Sequence, residues 1–267
     1  MTTSSNNVMS EANAQLVLNY VRGDQSLEGS NGLRERGSNL LGPIVNAEPW
    51  VQRRPDAQIT GDGYGTFFSD NSTRANLLWA AANDGMVHAF DPLTGEEKFA
   101  YVPGVLANRL AEIPLQRGGP AGGRTQLNGA NFVAGVAESK PAGTVSAYVD
   151  SSPFTADVKV GTDWKTYLFG SLGRGGRAVY ALDVTDPASL TEGSASNIFK
   201  WQFTADDDID LGYVSMGKIL RHVNTNQAMP VVKMNNGKYA MLLGNGQKSA
   251  SGKAVLFILY MDGPNGA

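Results

Sequence analysis

At 267 residues, 42% hydrophobic and with 32 glycines, the chain is long enough to bury a large core and turns too often for a helical bundle. A formal charge of −3 provides no global basic field, which sets nucleic acid and anionic bilayers aside as partners. The chain has no cysteine, so disulfides, thiol catalysis and cysteine-ligated zinc are excluded.

The amino end, MTTSSNNVMSEANAQ, lacks the basic start and apolar core of a secretory signal, and no apolar run is long enough to span a bilayer. This end, and the MDGPNGA that directly follows a strand-like run, read as the cut ends of a fragment. Between Glu11 and Val21 the apolar Leu16, Val17, Tyr20 and Val21 fall on one helical face, with Gly23 as the stop. Residues 1–39 are thus predicted to form one short helix and a polar opening segment. Strand character is predicted from Leu40, in LLGPIVNAEPWV, and carries through residues 40–267.

Three loosely similar units recur in this second region. The first takes Ile44 to Val51, Leu77 to Ala82, Met86 to Asp91 and Lys98 to Val102. The second takes Tyr148 to Val158, Trp164 to Gly170, Ala178 to Val184 and Phe199 to Thr204. A third takes Leu211 to Val223, Lys238 to Gly244 and Val255 to Tyr260, with no fourth strand. Second strands read LLWAAANDG, KTYLFGSLG and YAMLLGNGQ; third strands read MVHAFD, AVYALD and AVLFILY. Repeated strand, glycine turn, strand predicts an all-β fold, a partial β-propeller of about three four-stranded antiparallel blades, with a β-sandwich as the alternative. Gly104 to Ala147, containing QRGGPAGGRTQLNG, is too long for a blade connection and too rich in glycine for regular structure, so 104–147 is predicted to be an inserted surface loop.

Candidate chemistry is sparse. His88 and His222 fall in predicted strands, with no HxH or HExxH spacing, and read as structural. No GxSxG elbow occurs. ADDDIDLG, with Asp206, Asp207, Asp208 and Asp210, lacks the internal glycine and distal glutamate of a calcium loop and reads as a solvated turn; Asp62 in GDGYG has no acidic partners. The glycines of GSLGRGG (Gly170 to Gly176) and of GNG (Gly244 to Gly246) precede strands rather than helices, so they read as hairpin turns and not phosphate loops. Asp91 to Gly95 is explained by a type I turn. No catalytic, cofactor-binding or metal-binding residue is therefore assigned.

Several strings, in order, resemble the carboxyl-proximal propeller of the PilY/PilC family of type IV pilus proteins: VLNYVRGDQSLEG, RERGSNLLGPIVNAEP, NDGMVHAFDPLTGEEKFAYVPGVL, YVDSSPFTADV, WKTYLFGSLGRGGRAVYALDVTDP, DDDIDLGY and LLGNGQKSASGKAVLFILY. Pro43 and Tyr260 depart from the family pattern, standing where acids are usual. The resemblance implies a non-enzymatic module of pilus extension and surface adhesion. Its implied partners are pilin or minor pilin subunits and a host or surface receptor, and its implied place is the periplasm, outer surface or pilus tip of a Gram-negative bacterium. Calcium in some members is bound in a blade after LFILY, so no ligand transfers to this chain and no cofactor is expected in it. Two other readings are a quinoprotein-dehydrogenase-like propeller enzyme, whose repeat NDGMVHAFDPLTG resembles, and a generic protein-binding propeller scaffold.

Overall fold

The computed structural model describes residues 11–29, 33–114, 126–127, 130–131 and 146–263. The chain divides into two compact units, one of Met1–Pro43 with Leu106–Ser146, the other of Ile44–Val105 with Ala147–Ala267.

In the first unit, α1 (Glu11–Val21) buries Val17, Tyr20 and Val21, and Gly23 at φ +106° turns the chain out of the helix. The following RERG segment closes around it. Arg36 stacks on the Tyr20 ring at 3.7 Å, donates to the Tyr20 carbonyl at 2.8 Å and pairs with Glu28 at 2.5 Å. Leu33 is buried, and the Tyr20 hydroxyl donates to the Arg34 carbonyl at 2.9 Å.

The second unit holds three antiparallel sheets. The first joins β1 (Trp50–Gln52), β2 (Leu77–Ala81), β3 (Val87–Phe90) and β4 (Glu97–Tyr101), in chain order. Between β1 and β2 lies α2 (Tyr64–Asp70). In the first unit, the backbone of Gln126–Leu127 (β5) and Ala130–Asn131 (β6) forms a small separate antiparallel pair. The second blade joins β7 (Phe154–Val160), β8 (Asp163–Ser171) and β9 (Ala178–Asp183), then, after α3 (Ala195–Ile198), β10 (Phe199–Thr204). The third joins β11 (Val231–Lys233), β12 (Tyr239–Gly244) and β13 (Leu256–Tyr260).

Turn chemistry closes these hairpins. Gly85 takes φ +97° in the tight NDG connection, where the Ala82 amide donates to the Met86 carbonyl at 3.0 Å. After β3, Asp91 accepts from the Leu93 amide at 2.8 Å, and after β9 Asp183 accepts from the Thr185 amide at 3.0 Å. The recurring aspartate is therefore a turn-former in both blades.

Alternation along the strands sends one face of the second blade toward the third. Phe169, Ala181, Trp201 and Phe203 join Met241, Leu243, Phe257 and Leu259 in one buried cluster, with Phe203 edge-on to Phe257 at 5.1 Å. Each such large side chain stabilises the fold by about 1.5–3 kcal/mol relative to exposure. The opposite face of the second blade meets the first, where Tyr180 packs on Tyr101 at 5.4 Å.

Several expectations need correction. Residues 40–49 form no strand: Pro43 and Pro49 lack amide donors, and the amides of Asn46 and Glu48 bond to side chains of the second blade instead of to a ladder. The second blade's first strand starts at Phe154, not Tyr148, because Asp150 and Ser152 serve the same contact. Leu211 to Val223 is likewise not a strand. Its Gly212 and Tyr213 amides bond to the carbonyls of Asn245 and Gln247 at 2.7 Å, and the third sheet instead begins at Val231, one MNNG turn before β12. Gly104–Glu112, placed in the inserted loop, is a 3-10 helix, and the loop also contains the β5–β6 pair. Residues 115–125, 128–129 and 132–145 of that loop, including most of QRGGPAGGRTQLNG, lie outside the described residues.

Candidate functional site

A set of buried, hydrogen-bonded polar residues forms a clasp where the three blades meet. Asp150, Ser151 and Ser152 precede β7 and are at most 3% exposed. Asp150 accepts from the Asn46 side chain at 2.6 Å and from Asn83, at the β2–β3 turn, at 3.0 Å. Ser152 Oγ accepts from the Glu48 amide at 2.9 Å. Ser151 Oγ accepts from the Met216 amide at 2.7 Å, and the Ser152 amide donates to the Met216 carbonyl at 3.2 Å. One short segment thus holds the approach to the first sheet, its hairpin tip and the approach to the third. Buried polar groups this complete fix geometry, because leaving any partner unpaired costs about 1–3 kcal/mol.

The glycines of GSLGRGG make room for this clasp. A Cβ on Gly175 would overlap the Tyr148 carbonyl, and one on Gly173, at φ +54°, the Asp150 carbonyl. Their loop bears no helix N-terminus of the length a phosphate loop needs: Gly173–Gly175 is a single 3-10 turn between β8 and β9.

A second network surrounds Asp157 on β7. Its carboxylate accepts from the Tyr64 hydroxyl and from Thr166 Oγ1, each at 2.6 Å, and Thr166 in turn accepts from Arg74 at 2.8 Å. Gln227 brackets the Asp157 backbone, donating to its carbonyl and accepting from its amide. Burial raises the Asp157 carboxyl above the usual carboxylate range, against the hydroxyl donors, and the burial and the carboxylate together push the Tyr64 hydroxyl up. Tyr64 and Phe67 of α2 pack around Trp164, with Tyr64 edge-on at 4.8 Å, so the helix exists to cap this network.

His88 lies across β3 between two carboxylates, Nδ1 2.5 Å from Glu97 and Nε2 3.2 Å from Asp84, with its ring stacked on Phe90. Burial opposes its charge, but the bonds to Asp84 and Glu97 prevail and raise the imidazole to about 9. With both nitrogens committed, it is placed neither to activate a hydroxyl nor to ligate a metal. His222 sits in a loop rather than a strand, its Nδ1 accepting from the Asn224 amide at 3.2 Å.

Asp62, at φ +57°, pairs with Lys159 on β7 and, at 3.1 Å, with Lys233 on β11; the hydrogen bonds from the two lysines hold its carboxyl below the usual range. In the acidic run, Asp207 accepts from the Thr204 amide and hydroxyl at 2.8 and 2.9 Å, and Asp208 from the Asp210 amide at 2.8 Å. These carboxylates face their own backbone. Among the described residues no group of three His, Asp or Glu side chains could hold a metal ion. Sequence reading missed Asn46, Tyr64, Arg74 and the clasp serines; the available signal was Asp-Ser-Ser set directly against a strand of buried residues.

Two four-stranded meanders followed by a three-stranded one, sharing inter-sheet cores with polar clasps at their seams, define the blades of a β-propeller. The family model of the PilY1 beta-propeller domain matches residues 54–267, and the chain belongs to that family. Among curated relatives, the type IV pilus biogenesis factor PilY1 of Pseudomonas aeruginosa strain PAK is 34% identical over 96% of this chain. A PilY1 homolog of Xylella fastidiosa strain Temecula1 is 32% identical over 92%. The chain spans 19% and 15% of their respective lengths. The crystal structure of the Pseudomonas aeruginosa PilY1 C-terminal domain matches 76% of this chain and 31% of its own length, at 32% identity and a TM-score of 0.49.

Proposed function

We propose that this chain is a propeller module of a type IV pilus biogenesis factor, which promotes pilus extension and surface attachment by non-covalent contact and not by catalysis. The observation that carries this reading is the family match across residues 54–267, with relatives named as pilus biogenesis factors. The spending of Asp150, Asp157 and His88 on internal bonds supports a role without chemistry. Its partners on this reading are pilin or minor pilin subunits and a host or surface receptor, met in the periplasm, at the outer surface or at the pilus tip. No described helix is long and apolar enough to cross a membrane. Neither quinone nor calcium is proposed as a resident of this segment; the hydrogen bonds of Asp207 and Asp208 to their own turn support that. The test is to delete the segment encoding residues 54–267 in the source bacterium and count surface pili and twitching zones. Loss of both, restored by the wild-type segment, is expected; unchanged piliation and twitching would reject the proposal.

A further inference from the structure

Four arginines, Arg53, Arg54, Arg74 and Arg221, are among the residues lining one small polar cavity of about 10 Å³ in the second unit, room for about one water. Two are fixed from within. Arg74 donates to the Arg53 carbonyl at 2.6 Å and to Thr166 at 2.8 Å, while Arg221 pairs with Asp56 at 3.1 Å and lies over the Trp50 ring at 4.7 Å. The other two are exposed. Asp56 and Asp157 are the carboxyls lining this cavity, so four guanidiniums against two carboxyls leave at least two positive charges unmatched.

We infer that this arginine cluster is a docking site for a carboxylate-bearing, acidic peptide segment of a protein partner. Guanidiniums pair with carboxylates through two parallel donors, which the exposed Arg53 and Arg54 carry, while Arg74, whose donors are spent on the Arg53 and Thr185 carbonyls and Thr166, and Arg221 add positive charge. An apolar flank accompanies the charge, with Phe68 38% exposed and the Arg54 guanidinium 5.8 Å from its ring. A short acidic segment with an apolar residue fits this combination. An extended polyanion does not, because the chain as a whole carries −3 and repels it beyond the patch. The inference rests on these side chains alone and stands apart from the pilus reading.

The test is calorimetric titration of the full chain with a capped peptide of alternating Glu and Phe, at low and at physiological ionic strength. Parallel titrations use a Lys-Phe peptide and inorganic phosphate. Expected are binding of the acidic peptide that weakens as salt rises, none of the basic peptide, and phosphate binding at least tenfold weaker than that of the acidic peptide. The Arg53→Ala/Arg54→Ala variant is expected to lose about tenfold or more in affinity with an unchanged thermal midpoint, since both side chains are exposed. Arg53→Lys/Arg54→Lys is expected to fall between, as charge without the paired donors. No binding of the acidic peptide at low salt, equal binding by the double alanine variant, or phosphate binding as tight as the peptide would each overturn the inference.

Discussion

Asn46 and Asp150, 104 positions apart in the chain, meet through a 2.6 Å hydrogen bond from the Asn46 amide to the Asp150 carboxylate. Asn83 takes the other carboxylate oxygen at 3.0 Å, so one buried acid ties an extended approach segment and a hairpin tip to the second blade. Asp150→Ala leaves the buried Asn83 amide without its acceptor and is expected to cost about 2–4 kcal/mol, whereas Asn46→Ala, at an exposed position, costs about 1 kcal/mol. Urea unfolding followed by tryptophan fluorescence measures both. Equal losses in the two variants would show that Asp150 is not the hub.

Gly175 sits where a Cβ would overlap the Tyr148 carbonyl, just before the clasp. Gly175→Ala is expected to destabilise by about 2 kcal/mol or more, because backbone and not a flexible side chain must yield. Gly193 has open space around it, so Gly193→Ala serves as the control with little effect. A thermal midpoint for Gly175→Ala matching that control would show that the close approach does not constrain the loop.

The strands whose apolar runs ended in glycine turns were legible: β2, β3, β8, β9, β12 and β13 all lie where the repeat put them, because local alternation and turn chemistry decide them. The first strands of the blades were misplaced. Segments such as NAEPW and VDSSP are extended and partly apolar, yet the amides of Asn46 and Glu48 bond across a seam to Asp150 and Ser152, 104 positions away, which no local pattern reveals. The α2 helix was hidden because YGTFFSD has two glycines before it and aromatic rather than helix-favouring residues; Tyr64 and Phe67 are held by Trp164. His88 was legible as structural, but its two carboxylate partners come from a turn and a neighbouring strand and required the register of β3 on β4.

His88 links stability to pH. Its folded value of about 9 lies above the unfolded one of 6.5, so the protonated ring stabilises the fold fully below pH 6.5 and the contribution is lost as pH rises through 9. Because the Glu97 side chain is 49% exposed, the loss is discounted to about 2 kcal/mol. Thermal midpoints across that window are expected to fall for the wild type and to stay flat for His88→Gln. A wild-type curve as flat as the variant's would contradict the carboxylate pairing.

Tyr64→Phe removes one of the two hydroxyls that Asp157 accepts while leaving the ring against Trp164. The expected cost is about 1–3 kcal/mol, read by urea unfolding, with near-ultraviolet dichroism of the tryptophans retained. Asp157→Asn in the same background is expected to cost less than in the wild type, since the two changes share one bond. Strict additivity would show that the hydroxyl and carboxylate act independently.

The claim that this chain serves the pilus is tested most directly by shearing surface pili from the source bacterium, sedimenting them and probing the fraction with antibody raised against the chain. The account predicts that the protein co-sediments with the pili and disappears from that fraction in a strain lacking the major pilin. Recovery wholly in the cytosolic fraction, unchanged by loss of the pilin, would contradict it.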